Sequence, residues 1–239
     1  MLMPLRIVSS PSWVATDLMR LFTVIALLSD IKSLFILRLN VVLRLLGLGL
    51  MLNMLPVHAN PILILGDSLS ASYGMEQDQG WVHLLQQKMP DTTIVNGSVS
   101  GETSAGGLRR LPGLLKSVQP KLVLIELGGN DGLRGFSPKQ LKTNLAEMIR
   151  LSKQAGAKVL LSEVMVPPNY GPRYAQIFTQ VYQDLAKEHQ VTLMPFFMTD
   201  IAIHPDLMQA DGIHPNQAAQ AQIADFVQPW LLDTQPASL

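Results

Sequence analysis

The sequence predicts a doubly wound α/β domain over residues 60–239, in which a parallel β-sheet has helices on both faces. Five short apolar runs alternate with longer segments whose apolar residues recur at helical spacing. Several runs are continuously apolar, which is typical of parallel strands that are covered on both faces. Because a repeated strand–helix order builds such a sheet, we expect one α/β domain that is long enough to bury a core.

The predicted elements follow one another along the chain. The strands are Ile62–Leu65, Thr93–Val95, Leu122–Leu127, Lys158–Leu161 and Val191–Met194. The helices are Trp81–Met89, Leu108–Val118, Pro138–Gln154, Tyr174–His189 and Gln217–Leu231. Two helices carry start signals, because Ser137 precedes a proline at the first helical position and Asn216 is a favourable N-cap.

Residues 1–59 differ from the rest of the chain in charge and hydropathy. They hold five basic and two acidic residues, which leaves 13 basic and 16 acidic residues for residues 60–239. The apolar run after Arg44 is shorter than the ~20 residues that cross a bilayer, and Val57 and Ala59 form a small-x-small cleavage pattern. We therefore expect a leader that is cleaved after Ala59 and a periplasmic or secreted protein; an uncleaved anchor and a later start at Met19 are the alternatives.

Composition excludes several function classes. The chain has 18 basic and 18 acidic residues, whereas nucleic-acid binders usually have a basic excess. Its lack of cysteine excludes disulfides, cysteine zinc sites and thiol catalysis. No glycine loop has the spacing of a nucleotide-binding motif. We expect no metal, no cofactor, no nucleic-acid partner and, after removal of the leader, a monomer without stable membrane insertion.

Polar residues and glycines follow the predicted strands. Ser68 comes after the first strand, Gly101 after the second and Asn130 after the third, while Asp211 and His214 precede the last helix. Because ligands of open α/β sheets bind at the carboxyl ends of the strands, these residues are expected to meet at one edge. The sequence therefore predicts a site there.

These residue types suit acyl transfer. A serine hydroxyl needs a base to become a nucleophile, and His214 is the best base in the chain. Asp211, three residues earlier in a tight turn, can orient its ring. We expect Ser68 at a strand-to-helix turn, beside the positive end of a helix. The Ser68 N–H, the Gly101 N–H and the Asn130 amide are the predicted donors to an oxyanion.

The combination resembles the SGNH (GDSL) hydrolase family. The four blocks of that family correspond to Gly66–Leu69, Gly101, Gly129–Asp131 and the Asp211/His214 pair. Longer stretches, Val123–Phe136, Pro167–Tyr174 and Asp211–Asn216, are similar to its thioesterase/lysophospholipase/arylesterase branch from Gram-negative bacteria.

The resemblance implies a flavodoxin-like, three-layer α/β/α fold with a five-stranded parallel sheet. It also implies a periplasmic serine hydrolase that needs no metal and cleaves fatty-acyl esters and thioesters, such as acyl-CoA, lysophospholipids and aryl esters. Ser68 would be the nucleophile, Asp211 and His214 its partners, and Ser68, Gly101 and Asn130 the oxyanion donors.

Two apolar loops are predicted to bind the acyl chain. The residues expected in this groove are Leu133, Phe136, Val166, Pro167 and Tyr170. Burial of each methylene would contribute roughly 0.8 kcal/mol to binding. A carbohydrate O-deacetylase of the same family and a non-catalytic lipid-binding protein of the cell envelope are the alternatives, and the sequence leaves both open.

Overall fold

The computed structural model describes residues 60–166 and 170–235, together with Met19, Arg20 and Thr23. The predicted leader, apart from those three positions, and its cleavage site after Ala59 lie outside the described residues, as does Pro167, so these expectations remain predictions. All strands and helices given below belong to the second of the two units into which the chain divides after Val57.

Five parallel strands form a single sheet in the order β2-β1-β3-β4-β5. Their bounds are β1 Ile62–Gly66, β2 Ile94–Asn96, β3 Leu122–Glu126, β4 Lys158–Ser162 and β5 Thr192–Met194. The register places Ile62 of β1 opposite Ile94 on one side and Leu122 on the other. This is the flavodoxin-like strand order, so the predicted fold is confirmed.

Six α-helices and three short 3₁₀ turns have both ends within residues 60–166 and 170–235. The helices are α1 Trp81–Lys88, α2 Ser104–Val118, α3 Gly129–Leu133, α4 Pro138–Gln154, α5 Pro172–His189 and α6 Gln220–Thr234. The 3₁₀ turns are Gln77–Gln79, Pro205–Leu207 and Gln217–Ala219. Among the helices described, none is both long enough and apolar enough to cross a membrane.

Helices cover both faces of the sheet because alternate residues of each strand point to opposite sides. Leu63 and Leu65 of β1 pack with α2, α4 and α5, whereas Ile62 and Ile64 pack with α1 and α6. All four of these side chains are fully buried. The continuously apolar strands are thereby explained, since each strand has a hydrophobic layer on both sides.

The largest differences from the predicted pattern are in two elements. Helix α2 begins at Ser104 rather than Leu108, because the Thr103 side chain accepts from the Gly106 N–H and caps it. Glycine at position 107 also permits close packing, since a Cβ there would collide with Leu127. The short helix α3 lacks an apolar repeat of its own and was not predicted.

The site region lies where the strand order reverses. From β1 the chain crosses to β2 on one side, and it then returns to β3 on the other side of β1. The loops that leave the carboxyl ends of β1 and β3 therefore diverge and leave a crevice between them. Ser68 follows β1 and Asn130 follows β3, so both lie at this crevice.

Candidate active site

Ser68 lies in a turn directly after β1 and is half-buried. The Asp67 side chain holds this turn by accepting from the Leu69 N–H at 3.1 Å, and the Leu69 carbonyl accepts from the indole N–H of Trp81 at 3.0 Å. No helix begins at Ser68, because turns continue to Gly74 and α1 starts only at Trp81. The expected helix N-terminus beside the hydroxyl was therefore wrong.

Position 66 is a glycine because two neighbouring side chains lie where a Cβ atom would be. A Cβ there would lie 2.7 Å from Oε2 of Glu126 and 2.8 Å from Oγ of Ser70. A side chain at this position would thus displace the Glu126 carboxyl group, which accepts a hydrogen bond from the Asp67 N–H.

Three predicted residues form a continuous hydrogen-bonded chain. Nε2 of His214 lies 2.9 Å from Oγ of Ser68, and its Nδ1 lies 2.6 Å from Oδ2 of Asp211. A carboxylate only accepts hydrogen bonds, so Nδ1 carries the proton and Nε2 of the neutral ring is an acceptor. The imidazole is therefore arranged to accept the proton of the Ser68 hydroxyl.

The turn before α6 orients the carboxylate of Asp211. Its Oδ1 accepts from the N–H of Ile213 at 2.9 Å and from the N–H of His214 at 3.0 Å. Burial raises the pKa of Asp211, but the hydrogen bonds from His214 and Ile213 outweigh burial and lower the pKa to about 2. The residue therefore stays ionised through the neutral and mildly acidic range.

Tyr73 covers one side of the His214 ring, with the two ring centroids 4.2 Å apart. Its position is held in part by its own carbonyl, which accepts from the Gln209 side chain at 2.8 Å. Sequence reasoning did not identify Tyr73, because nothing in the residues next to it distinguishes it from any other loop tyrosine.

The predicted oxyanion donors lie on three segments, which follow β1, β2 and β3. Within the described part of the chain, neither the Ser68 N–H nor the Gly101 N–H donates to another protein atom. Gly101 has a φ of +76°, a conformation that glycine adopts without strain. The Asn130 amide donates one hydrogen bond, at 3.2 Å, to Oδ2 of Asp67. Unpaired N–H groups of this kind are what an oxyanion requires.

A buried pair of carboxyl groups lies beneath the Ser68 turn. Oε2 of Glu126 accepts from the Ser70 hydroxyl at 2.7 Å and from the Asp67 N–H at 3.4 Å. Burial raises the pKa of Asp67 to about 6, and burial together with the neighbouring Asp67 raises the pKa of Glu126 well above its ordinary 4.5. Among the described residues, Oε1 of Glu126 has no hydrogen-bond partner. No role for Glu126 could be predicted from the sequence, and in the structure its carboxyl group supports the turn by accepting these two hydrogen bonds.

The Glu126→Gln variant is expected to gain stability relative to the wild type as the pH rises. A raised pKa means that folded Glu126 holds a proton which the unfolded chain releases above pH 4.5, so the free energy of unfolding falls with rising pH in that window. Glutamine keeps the same acceptor for Ser70 and carries no proton to lose. The stability difference between the variant and the wild type should grow by on the order of 1 kcal/mol per pH unit above pH 4.5 in urea titrations.

Glu147→Gln is the matched control for this experiment. The hydrogen bond from Arg150 is the main cause of the lowered pKa of Glu147. The contribution of the Glu147 charge to the free energy of unfolding is therefore lost only below pH 4.5. Parallel stability profiles for the wild type and Glu126→Gln between pH 5 and pH 8 would contradict the expectation.

An apolar cavity of about 480 Å³ opens beside Ser68. Two of the predicted groove residues, Leu133 and Val166, line it. Phe136 and Tyr170 do not line it; instead, the Tyr170 hydroxyl donates to the Leu133 carbonyl at 2.7 Å. These two predicted residues are thus outside the cavity.

The opposite wall of the cavity was not predicted. It comes from the chain after β5 and from the loop before α6, and it includes Phe196, Met198, Ala202, Ile203, Met208 and Ile213. The sequence does contain a signal for this wall, because Phe196–Met198 follows a predicted strand, as do the segments that contain Ser68 and Asn130. Within the described ranges, no group of three acidic or histidine side chains is placed to hold a metal ion.

Comparison with known proteins places this arrangement in a family. The model of the GDSL-like Lipase/Acylhydrolase family matches residues 64–222, from within β1 to the first turn of α6. The chain belongs to the GDSL-like Lipase/Acylhydrolase family. The matched range contains Ser68, Gly101, Asn130, Asp211 and His214, and the family assignment makes the chain an ester hydrolase.

Individual GDSL family members agree with this assignment. Esterase TesA of Pseudomonas aeruginosa is 50% identical over 177 residues, which cover 72% of this chain and 88% of that protein. Thioesterase 1/protease 1/lysophospholipase L1 of Escherichia coli K12 is 51% identical over 170 residues, 71% of this chain and 82% of that protein. The crystal structure of the psychrotrophic esterase EstA from Pseudoalteromonas sp., inhibited by monoethylphosphonate, is 50% identical with a TM-score of 0.70, and the match covers 72% of this chain and 99% of that one.

Proposed function

We propose that this chain hydrolyses fatty-acyl esters and thioesters through an acyl-enzyme on Ser68. The observation that carries the proposal is the continuous chain of contacts from Asp211 through His214 to the Ser68 hydroxyl, at 2.6 Å and 2.9 Å, beside a largely apolar cavity. This arrangement supplies a nucleophile, a base and an orienting carboxylate next to a space for an acyl chain.

The proposed reaction has two halves. His214 Nε2 takes the hydroxyl proton of Ser68 while Oγ attacks the acyl carbon, and the resulting oxyanion accepts from the N–H groups of Ser68 and Gly101 and from the Asn130 amide. His214 then gives the proton to the departing alcohol or thiol. Water, activated by the same histidine, attacks the acyl-enzyme and regenerates Ser68.

The cavity wall supports a fatty-acyl substrate. Val164, Met198 and Leu133 present hydrocarbon or thioether surface, and Ile203 and Ile213 extend it to the exterior. Each methylene that is buried there would add roughly 0.8 kcal/mol to binding. Esterase and thioesterase names among the relatives support both ester and thioester substrates.

The test is a series of p-nitrophenyl esters and CoA thioesters with acyl chains of increasing length. We expect kcat/KM to rise from acetyl to medium chains and the thioesters to be cleaved as well. The Ala202→Trp variant, which places an indole at the exposed side of the cavity, should reduce medium-chain activity on the order of tenfold and leave acetyl activity nearly unchanged.

Ala155→Trp is the matched control, because Ala155 is exposed and precedes β4 at the opposite edge of the sheet. Preference for acetyl over longer chains would contradict the fatty-acyl proposal and favour a carbohydrate O-deacetylase. Equal chain-length profiles for Ala202→Trp and the wild type would show that the chain does not occupy this cavity.

We further propose that the enzyme is exported, as the leader features of residues 1–59 suggest. The mature protein would then begin at Asn60, and N-terminal sequencing of the protein from expressing cells would read that residue first. A mature protein that begins at Met1 would contradict export by cleavage.

A further inference from the structure

Asp131 is a buried carboxylate directly after the predicted oxyanion donor Asn130. It is only 2% exposed, and no basic side chain pairs with it among the described residues. Its two oxygens accept instead from a single residue: Oδ2 from the Ser104 N–H at 2.7 Å and Oδ1 from the Ser104 hydroxyl at 2.6 Å. Both contacts have the short lengths of charge-assisted hydrogen bonds.

A second layer of side chains fixes the direction of these bonds. The Asn144 amide donates to the Ser104 hydroxyl oxygen at 2.9 Å, and the Gln140 amide donates to the Asn144 carbonyl oxygen at 2.9 Å. Since the Ser104 oxygen already accepts from Asn144, its own proton points to Asp131. The residue at position 131 must therefore accept one hydrogen bond on each of two side-chain oxygens, which a carboxylate does and an amide, with a single oxygen, does not.

This contact joins two of the three segments that carry the proposed oxyanion donors, those of Gly101 and Asn130. Ser104 is the first residue of α2 and lies three residues after Gly101, while Asp131 lies in the first turn of α3 beside Asn130. A second, exposed link runs in parallel, because the Arg134 guanidinium donates to the Gly101 carbonyl at 3.1 Å. The buried link is the more constrained of the two, since Asp131 and Ser104 are both shielded from water.

We propose that Asp131 is a positioning residue that sets the distance between the Gly101 N–H and the Asn130 amide and so builds the oxyanion hole. The inference rests on the proposed serine hydrolase function. An oxyanion hole works only when its donors are fixed where negative charge develops, and a displacement of about 1 Å can cost on the order of 10²-fold in rate. Asp131 does not touch the reacting atoms; it acts through Gly101 and Asn130.

The test is a double-mutant cycle between positions 131 and 130. Asn130→Ala should lower kcat roughly 10²–10³-fold. Asp131→Asn should lower kcat on the order of 10–10²-fold with KM changed less than about threefold, because the hole is used most in the transition state. In the Asn130→Ala background, Asp131→Asn should cost less than about threefold, because part of the hole is already lost.

Gln86→Ala is the control for a general loss of stability. Gln86 joins α1 to β2 at the far edge of the sheet through hydrogen bonds to Ile94 and Thr92. The Gln86→Ala variant should have a lower unfolding temperature than the wild type and a kcat within about twofold of it. If Asp131→Asn does not fold, Ser104→Ala is the second variant. It removes the hydroxyl bonds to Asp131 and Asn144 and keeps the backbone N–H bond to Asp131, so it should show a smaller loss in kcat and the same non-additivity with Asn130→Ala.

Two results would overturn the positioning role. One is that Asp131→Asn or Ser104→Ala lowers kcat by the same factor in the Asn130→Ala background as in the wild type. The other is a wild-type kcat in Asp131→Asn or Ser104→Ala while Asn130→Ala is impaired. Wild-type activity in Asn130→Ala itself would instead contradict the proposed reaction, so failure of the inference and failure of the function are distinguishable.

Discussion

Replacement of Ser68 by alanine is expected to lower kcat by a factor on the order of 10⁴–10⁶, because the nucleophile of a triad that acts as a unit is lost. Oγ of Ser68 is the atom that Nε2 of His214 contacts at 2.9 Å, and alanine leaves the histidine without a proton to accept. The measurement is steady-state hydrolysis of a p-nitrophenyl ester that the wild type cleaves well. KM should change little, because the cavity walls remain intact.

Ser117→Ala is the matched control for this substitution. Ser117 is exposed in the last turn of α2, and its hydroxyl donates to the Leu114 carbonyl. It should keep wild-type kcat. Activity of Ser68→Ala within tenfold of the wild type, in protein free of contaminating esterase, would contradict the role given to Ser68.

Replacement of Asp211 by asparagine is expected to lower kcat on the order of 10⁴-fold. Oδ1 of Asp211 accepts two backbone N–H groups and Oδ2 accepts from Nδ1 of His214. An asparagine that keeps its oxygen on the two backbone groups must turn its NH₂ towards Nδ1. The ring then moves its proton to Nε2, and in that tautomer it cannot accept the proton of Ser68.

The effect of Asp211→Asn is chemical rather than structural, so its unfolding temperature should stay close to that of the wild type. Asp206→Asn is the control, because the Asp206 side chain is exposed in the 3₁₀ turn before the site and does not contact His214. A loss of less than tenfold in Asp211→Asn would show that the carboxylate does not set the tautomer.

The sheet and the contact between Asp211 and His214 could be predicted because their signals are local. The runs that become β1, β3 and β4 are apolar on both faces, and glycine and polar residues follow β1 and β3 at the point where a parallel sheet collects its loops. Asp211 and His214 lie in one short turn, so their contact is nearly determined by spacing.

The rest of the site depends on contacts between distant segments. Tyr73 reaches His214 across about 140 residues of sequence, and the cavity wall after β5 faces Leu133 only because the sheet brings the two loops together. Helix α3 is too short for an amphipathic repeat, and the Asp131–Ser104 contact that holds it is invisible in either segment alone. Contacts between residues that are far apart in the chain leave no periodic pattern in the sequence.

The expected helix after Ser68 failed for a related reason. A Gly-Asp-Ser sequence after a buried strand suits a strand-to-helix turn, but here the buried Asp67 and Glu126 carboxyl groups hold the chain in successive turns. Helix α1 can therefore begin only after the 3₁₀ turn Gln77–Gln79. At Ser68 the candidate donor to an oxyanion is therefore a backbone N–H of the turn rather than the N-terminus of a helix.

The most direct test of the account is reaction of the folded protein with a fluorophosphonate, followed by intact-mass measurement and peptide mapping. We predict one adduct per chain, located on Ser68, that forms much more slowly in His214→Ala and not at all in the urea-unfolded protein. An adduct on another residue, or no adduct in a folded protein, would contradict an activated Ser68, and the second result would favour a non-catalytic lipid-binding protein.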